Sequence, residues 1–93
     1  SDAPQITRSD IAAAFSGLKR HDAVIGPAED GGYWLLAMNG PAPEGLFDAM
    51  RWSHEETRND LLRQLSLHGL ERVKRLRALR DVDEASDLEV VKG

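Results

Sequence analysis

Apolar positions recur with a helical period in two stretches of the chain and run unbroken in a third. Ile11, Ala14, Phe15 and Leu18 fall at i, i+3, i+4 and i+7, one apolar face on a helix of about four turns. Thr7 precedes them as an N-cap, and Asp10, three residues on, completes a capping box. The helix is expected to end near Arg20-His21-Asp22, where basic residues suit the negative end of its dipole. Ala23-Val24-Ile25 reads as a short strand stopped by Gly26-Pro27, and Tyr33–Met38 as a buried strand bounded by turn residues. Asn39 to Gly45 holds two glycines and two prolines and breaks the sheet.

Leu46–Met50 suggests a helical turn. Ser53 and Glu56 form a second capping-box pair, opening a helix whose face carries Leu61, Leu62 and Leu65 and whose C-terminal glycine is Gly69. Residues 70–76 read as a charged strand. Asp83 caps a final short helix through Ala85, Leu88 and Val91. The expected order is helix, strand, strand, helix, strand, helix, an alternation that argues for α/β layering with helices covering a sheet. Trp34 and Phe15 are expected in the core.

Composition narrows the function only a little. Ninety-three residues make one small domain, and a net charge of −4 with 41% hydrophobic content is ordinary for a globular chain. The absence of cysteine excludes disulfides, thiolate chemistry and Cys-based zinc sites, and it fits a reducing, cytoplasmic setting. No stretch has the length and apolarity of a membrane span or of a signal peptide, so no membrane partner is expected. Arg72, Lys74, Arg75, Arg77 and Arg80 crowd one segment. With few aromatics between them and a net acidic chain, they read as a solvated strand face and not as a nucleic-acid surface. His21, His54 and His68 have no i, i+4 partner, which argues against a histidine metal site.

Candidate chemistry concentrates on carboxylates. Gly26-Pro27-Ala28-Glu29-Asp30-Gly31-Gly32-Tyr33-Trp34 places two acids and a glycine pair directly before the apolar strand. Glycines let backbone approach a ligand closely, and carboxylates there can hold a metal, a sugar hydroxyl or a proton. The plainer reading is a turn in which Asp30-Gly31 serves only the backbone. Asp2, before a proline-stiffened turn, suits a hard cation, or is simply a terminal residue. Asp81 and Asp83 alternate along an extended segment and so share one side, although Asp83 can equally be a helix cap.

Taken in order, Ser1-Asp2-Ala3-Pro4, the glycine loop, Trp52-Ser53 and Asp81-Val82-Asp83-Glu84-Ala85-Ser86-Asp87-Leu88 resemble the C-terminal half of a bacterial glycosyltransferase-like family of unknown function. That family is similar to the nucleotide-diphospho-sugar transferases, including the guanylyltransferases of molybdenum-cofactor and phospholactate metabolism. The resemblance implies the C-terminal portion of a Rossmann-like glycosyltransferase-A sheet, mostly parallel, with flanking helices. It implies Mg²⁺ or Mn²⁺ held by Asp2, Asp81 and Asp83, with a nucleotide-activated donor as substrate. Glu29, Asp30, Gly31 and Gly32 would form the acceptor-side loop, with Asp2 and Asp30 in catalytic roles and Trp52 and Ser53 on the neighbouring loop. Glu84-Ala85-Ser86 departs from the more typical Thr-Pro-Glu, which changes helix capping more than metal binding. The superfamily's basic, glycine-rich nucleotide loop has no counterpart in these residues.

The function implied is therefore metal-dependent glycosyl or nucleotidyl transfer, with this chain read as a single partial domain that is inactive alone. The alternative is a non-catalytic α/β module that associates, for instance as a homodimer, through exposed sheet edges.

Overall fold

A computed structural model of the chain describes residues 6–52, 54–80 and 88–92. The elements are helix α1 (Arg8–Gly17), strands β1 (Ala23–Pro27) and β2 (Tyr33–Asn39), helix α2 (Thr57–Leu67), and strands β3 (Val73–Arg75) and β4 (Leu88–Lys92). They form a four-stranded sheet in the order β3-β1-β2-β4. The central pair is an antiparallel hairpin, and each outer strand runs parallel to its inner neighbour. The fold is α/β as expected, and the sheet is mixed, with two parallel pairings flanking one antiparallel pairing.

Strand alternation sorts the core into two layers. On one face Ala23, Ile25, Tyr33, Leu36 and Met38 pack with Leu61 and Leu65 of α2 and with Leu46. On the other, Val24, Trp34, Leu35 and Ala37 pack with Ala14 of α1, with Leu18 and with Leu79. Each helix thus covers one face of the hairpin, and each fully buried leucine contributes about 1.5–3 kcal/mol. Alternation breaks once. Gly26 pairs with Leu35 but Pro27 pairs with Tyr33, so Trp34 is the extra residue of a β-bulge. The bulge turns Trp34 and Leu35 toward the same layer. The indole then lies flat over Gly26, where a Cβ would sit 2.7 Å from Trp34 Cζ2.

Several expectations are corrected. The Thr7–Asp10 capping box is present, but α1 ends at Gly17 with Leu18 as C-cap, short of Arg20-His21-Asp22. Phe15 is 38% exposed and stands outside the core that Trp34 fills. The first strand runs through Gly26-Pro27, because the bulge accommodates a residue that cannot donate. The third strand shrinks to three residues.

The Ser53–Glu56 pair does not cap α2 as a box. Glu56 is itself the N-cap and makes no side-chain cap, while Ser53 lies outside the described residues. Gly69 follows the His68 C-cap with φ of 86°, as the sequence suggested. Where the sequence predicts the end of a final helix, Leu88–Lys92 is instead a strand paired with β2, and the start of that expected helix, Asp83 to Ala85, lies outside the described residues. Every residue from Tyr33 to Met38 is buried, so the peptide groups on the open side of β2 need partners that a helix could not give. The valines at 90 and 91 suit a strand better than a helix.

Candidate functional site

The glycine loop leaves the C-terminal end of β1, and the chain from 76 to 80 leaves the same end of its parallel neighbour β3. These two exits run side by side. Ile25 accepts from Leu76 N–H at 2.9 Å, Pro27 from Leu79 N–H at 3.0 Å, and Leu79 from Glu29 N–H at 2.8 Å. Beyond that ladder, Arg80 Nε reaches Glu29 Oε1 at 3.1 Å. Both side chains are largely exposed, so the pair contributes little to stability and marks proximity.

Two further contacts hold the 76–80 segment in place. Trp34 Nε1 donates to the Arg77 carbonyl at 3.1 Å, which satisfies the buried indole. Arg77 itself forks onto Asp10, Nε to Oδ1 at 2.9 Å and Nη2 to Oδ2 at 2.8 Å. Thr7 N–H donates to the same Oδ2 at 2.8 Å. The guanidinium of Arg77, with the help of Thr7, holds the Asp10 carboxyl down at about 2 against the opposing effect of burial. The capping acid of α1 is thereby also the anchor of the rim.

The loop is built with equal care. Gly31 has φ of 99°, and a Cβ there would run into the Glu55 carbonyl and lie 2.7 Å from Glu55 Cα. No side chain fits. Ala28 N–H donates to the Gly32 carbonyl at 3.0 Å, and Gly31 N–H to Ala28 at 3.2 Å. Gly32 N–H donates to Asp30 Oδ1 at 3.0 Å, an Asx-turn that commits one oxygen of Asp30 to the backbone. The other oxygen has no partner among the described residues.

The segment from Arg51 to Arg58 supports the loop from below. Thr57 Oγ1 accepts from His54 N–H at 3.1 Å and lies 2.6 Å from the Arg51 carbonyl. His54 Nδ1 accepts from Glu56 N–H at 3.0 Å. Arg51 forks onto Asp60 through Nε at 2.9 Å and Nη2 at 2.7 Å, and its own N–H adds a third bond. That guanidinium holds the Asp60 carboxyl at about 2, although the carboxylate is almost fully buried. Trp52 is 52% exposed, its ring 5.9 Å from that of Phe47.

Of the residues singled out in the sequence, Glu29, Asp30, Gly31 and Gly32 share this rim, while the ring contact of Trp52 is with Phe47. Asp2, Ser53, Asp81 and Asp83 lie outside the described residues. Among the described residues, no group of three or more His, Asp or Glu could hold a metal ion. The loop offers only the carboxylates of Glu29 and Asp30, with one Asp30 oxygen already bonded to Gly32, so alone it does not supply a divalent cation's ligand set. No helix among these residues is long and apolar enough to cross a membrane.

Sequence reasoning missed Arg58, Arg77 and the Asp60–Arg51 pair. A signal existed for Arg58 and, through its partner Asp10, for Arg77. Arg58 lies three residues before Leu61 and seven before Leu65, so it continues the apolar stripe of α2, where a charged residue needs a partner. Asp10 likewise lies four residues before the buried Ala14.

No curated protein and no solved structure matches the chain. A family model described as an uncharacterized protein conserved in bacteria (DUF2064) matches residues 1–54. The matched stretch contains α1, the β1–β2 hairpin, the whole glycine loop and Trp52. The chain belongs to this bacterial family.

Proposed function

We propose that this chain forms the acceptor side of a metal-dependent transferase site, moving a glycosyl or nucleotidyl group from a nucleotide-activated donor. The observation that carries the reading is the meeting of two loops at one end of the parallel pair β1 and β3. The glycine loop and the chain that leads to Asp81 are joined there by Glu29 and Arg80. In open α/β sheets, ligands bind at the carboxyl ends of parallel strands.

On this reading Asp30 offers its uncommitted oxygen to a hydroxyl of the acceptor, orienting it and accepting its proton. Gly31 and Gly32 let the acceptor approach the backbone, and Trp52 and Ser53 would border the same site. Asp2, Asp81 and Asp83 are the residues that would hold Mg²⁺ or Mn²⁺, which supplies charge stabilisation for the leaving phosphate. The sheet edges lend the association reading less support. β3 is short and carries Lys74 and Arg75, features that discourage strand pairing.

The test is calorimetric titration of the full-length gene product with UDP- and GDP-linked sugars, with and without Mn²⁺, beside an Asp83→Ala variant. Metal-dependent binding that the variant loses is expected. Binding indifferent to metal, or none to either nucleotide, would overturn the proposal, and concentration-dependent self-association in that case would favour the non-catalytic module.

A further inference from the structure

One residue takes up three of the five carbonyls in the loop from Ala28 to Gly32. Arg58 N–H donates to Gly31 at 2.8 Å, while the two hydrogens of its Nη1 serve Ala28 at 2.7 Å and Gly32 at 3.1 Å. Ala28 and Gly32 are the two ends of the loop, already joined by their own backbone bond, so the guanidinium clasps its neck. Among the described residues no carboxylate lies within ion-pair distance of Arg58. Its charge is directed at carbonyl dipoles instead, a charge-assisted arrangement stronger than the neutral bonds of an ordinary turn.

Apart from this clasp, the loop is held from outside at Glu29, whose N–H donates to Leu79 and whose carboxylate meets Arg80, so the Gly31–Gly32 side depends on the α2 contacts. Its internal bonds at the neck are only the Ala28–Gly32 and Gly31–Ala28 pairs, and the Asx-turn of Asp30 is exposed. Gly31 gains freedom from having no side chain, which also makes it costly to order. The first turn of α2 supplies the missing order. Glu56 N–H is taken by His54, Thr57 N–H by the His54 carbonyl and Arg58 N–H by Gly31, so these donors are occupied by the protein itself.

We infer that Arg58 is the positioning residue of the candidate site: it sets the loop geometry that presents Asp30, without touching the reactants. The inference rests on the transferase reading for its functional consequence, but not for its structural one. Arg58→Ala keeps the helix, because alanine is the best helix former and the backbone bond to Gly31 remains. Arg58→Lys keeps the charge and can serve one carbonyl at a time.

The experiment measures amide hydrogen exchange at Ala28 and Gly32 by NMR in the full-length gene product, wild type and both variants, together with Mn²⁺-dependent titration of UDP- and GDP-linked sugars. In Arg58→Ala, exchange at both amides is expected to rise at least tenfold while protection in β2 stays unchanged. Arg58→Lys should recover part of the difference. Nucleotide affinity is expected to follow the same rank, wild type above Lys above Ala. Unchanged loop exchange in Arg58→Ala overturns the positioning role. Faster loop exchange with no nucleotide binding in any of the three proteins upholds it and overturns the transferase reading alone.

Discussion

Gly31→Ala asks whether the loop is docked on α2 or merely passes over it. The added methyl meets two separate penalties. Its φ of 99° is one that L-residues avoid, at about 1–2 kcal/mol. The methyl also collides with the Glu55 carbonyl, which is backbone and cannot swing aside as a side chain would. Relief requires the loop to lift, and lifting stretches the three Arg58 bonds to Ala28, Gly31 and Gly32. Hydrogen bonds of this sort contribute roughly 0.5–1.5 kcal/mol each, more when charged. The expected loss is about 3–5 kcal/mol, a large share of the ~5–15 kcal/mol that holds a small domain together. Gly32→Ala is the internal control. Its Cβ would meet only Asp30 Oδ1 at 3.3 Å, the end of an exposed side chain that can give by a few tenths of an ångström, so the loss should stay under about 1 kcal/mol. Urea unfolding followed by circular dichroism measures both. Equal losses in the two variants would refute the docked loop.

Asp10 titrates below its unfolded value of 3.8, so the Arg77 pair contributes stability above pH ~4 that is lost as the pH falls toward about 2. D10N should remove about 1–2 kcal/mol of that acid-sensitive stability, a figure reduced for the half-exposed Arg77. Unfolding curves at pH 7 and pH 3 that differ equally in D10N and wild type would contradict this. Gly26→Ala would push a methyl to 2.7 Å from Trp34 Cζ2 in a fully buried site, costing roughly 1–3 kcal/mol. Near-ultraviolet circular dichroism should then lose intensity as the indole shifts, and an unaltered Trp34 signal would count against the bulge packing.

How much was legible in the sequence depends on whether a feature was local. The Thr7–Asp10 box could be read because both partners lie in one turn, and Tyr33–Met38 because an unbroken apolar run marks a strand with both faces buried. Residues 88–92 misled because Leu88 and Val91 have helical spacing, while the open edge of β2 favours a strand, a fact held some fifty residues away. Phe15 misled for a similar reason. Its side of α1 is apolar in sequence, but Trp34 and Leu35, brought together by the bulge, already fill the space beneath Ala14. Of the site, the glycine loop stood out by composition. What fixes it was harder to read: Arg58 continues the apolar stripe of α2, but its partners lie 26 and 30 residues away, and Arg77 and Arg80 act across 67 and 51 residues with nothing in their local context to distinguish them from solvated arginines.

The most direct test of the account is paramagnetic broadening of the amide NMR spectrum by substoichiometric Mn²⁺ in the full-length gene product. The transferase reading predicts selective loss of signal from residues 29–32 and from Arg80, at the end of the sheet where β1 and β3 exit, and from the proposed metal ligands Asp81 and Asp83. Residues 39–43, at the opposite end, should be spared. Broadening centred on 39–43, or spread evenly over the surface carboxylates, would contradict it.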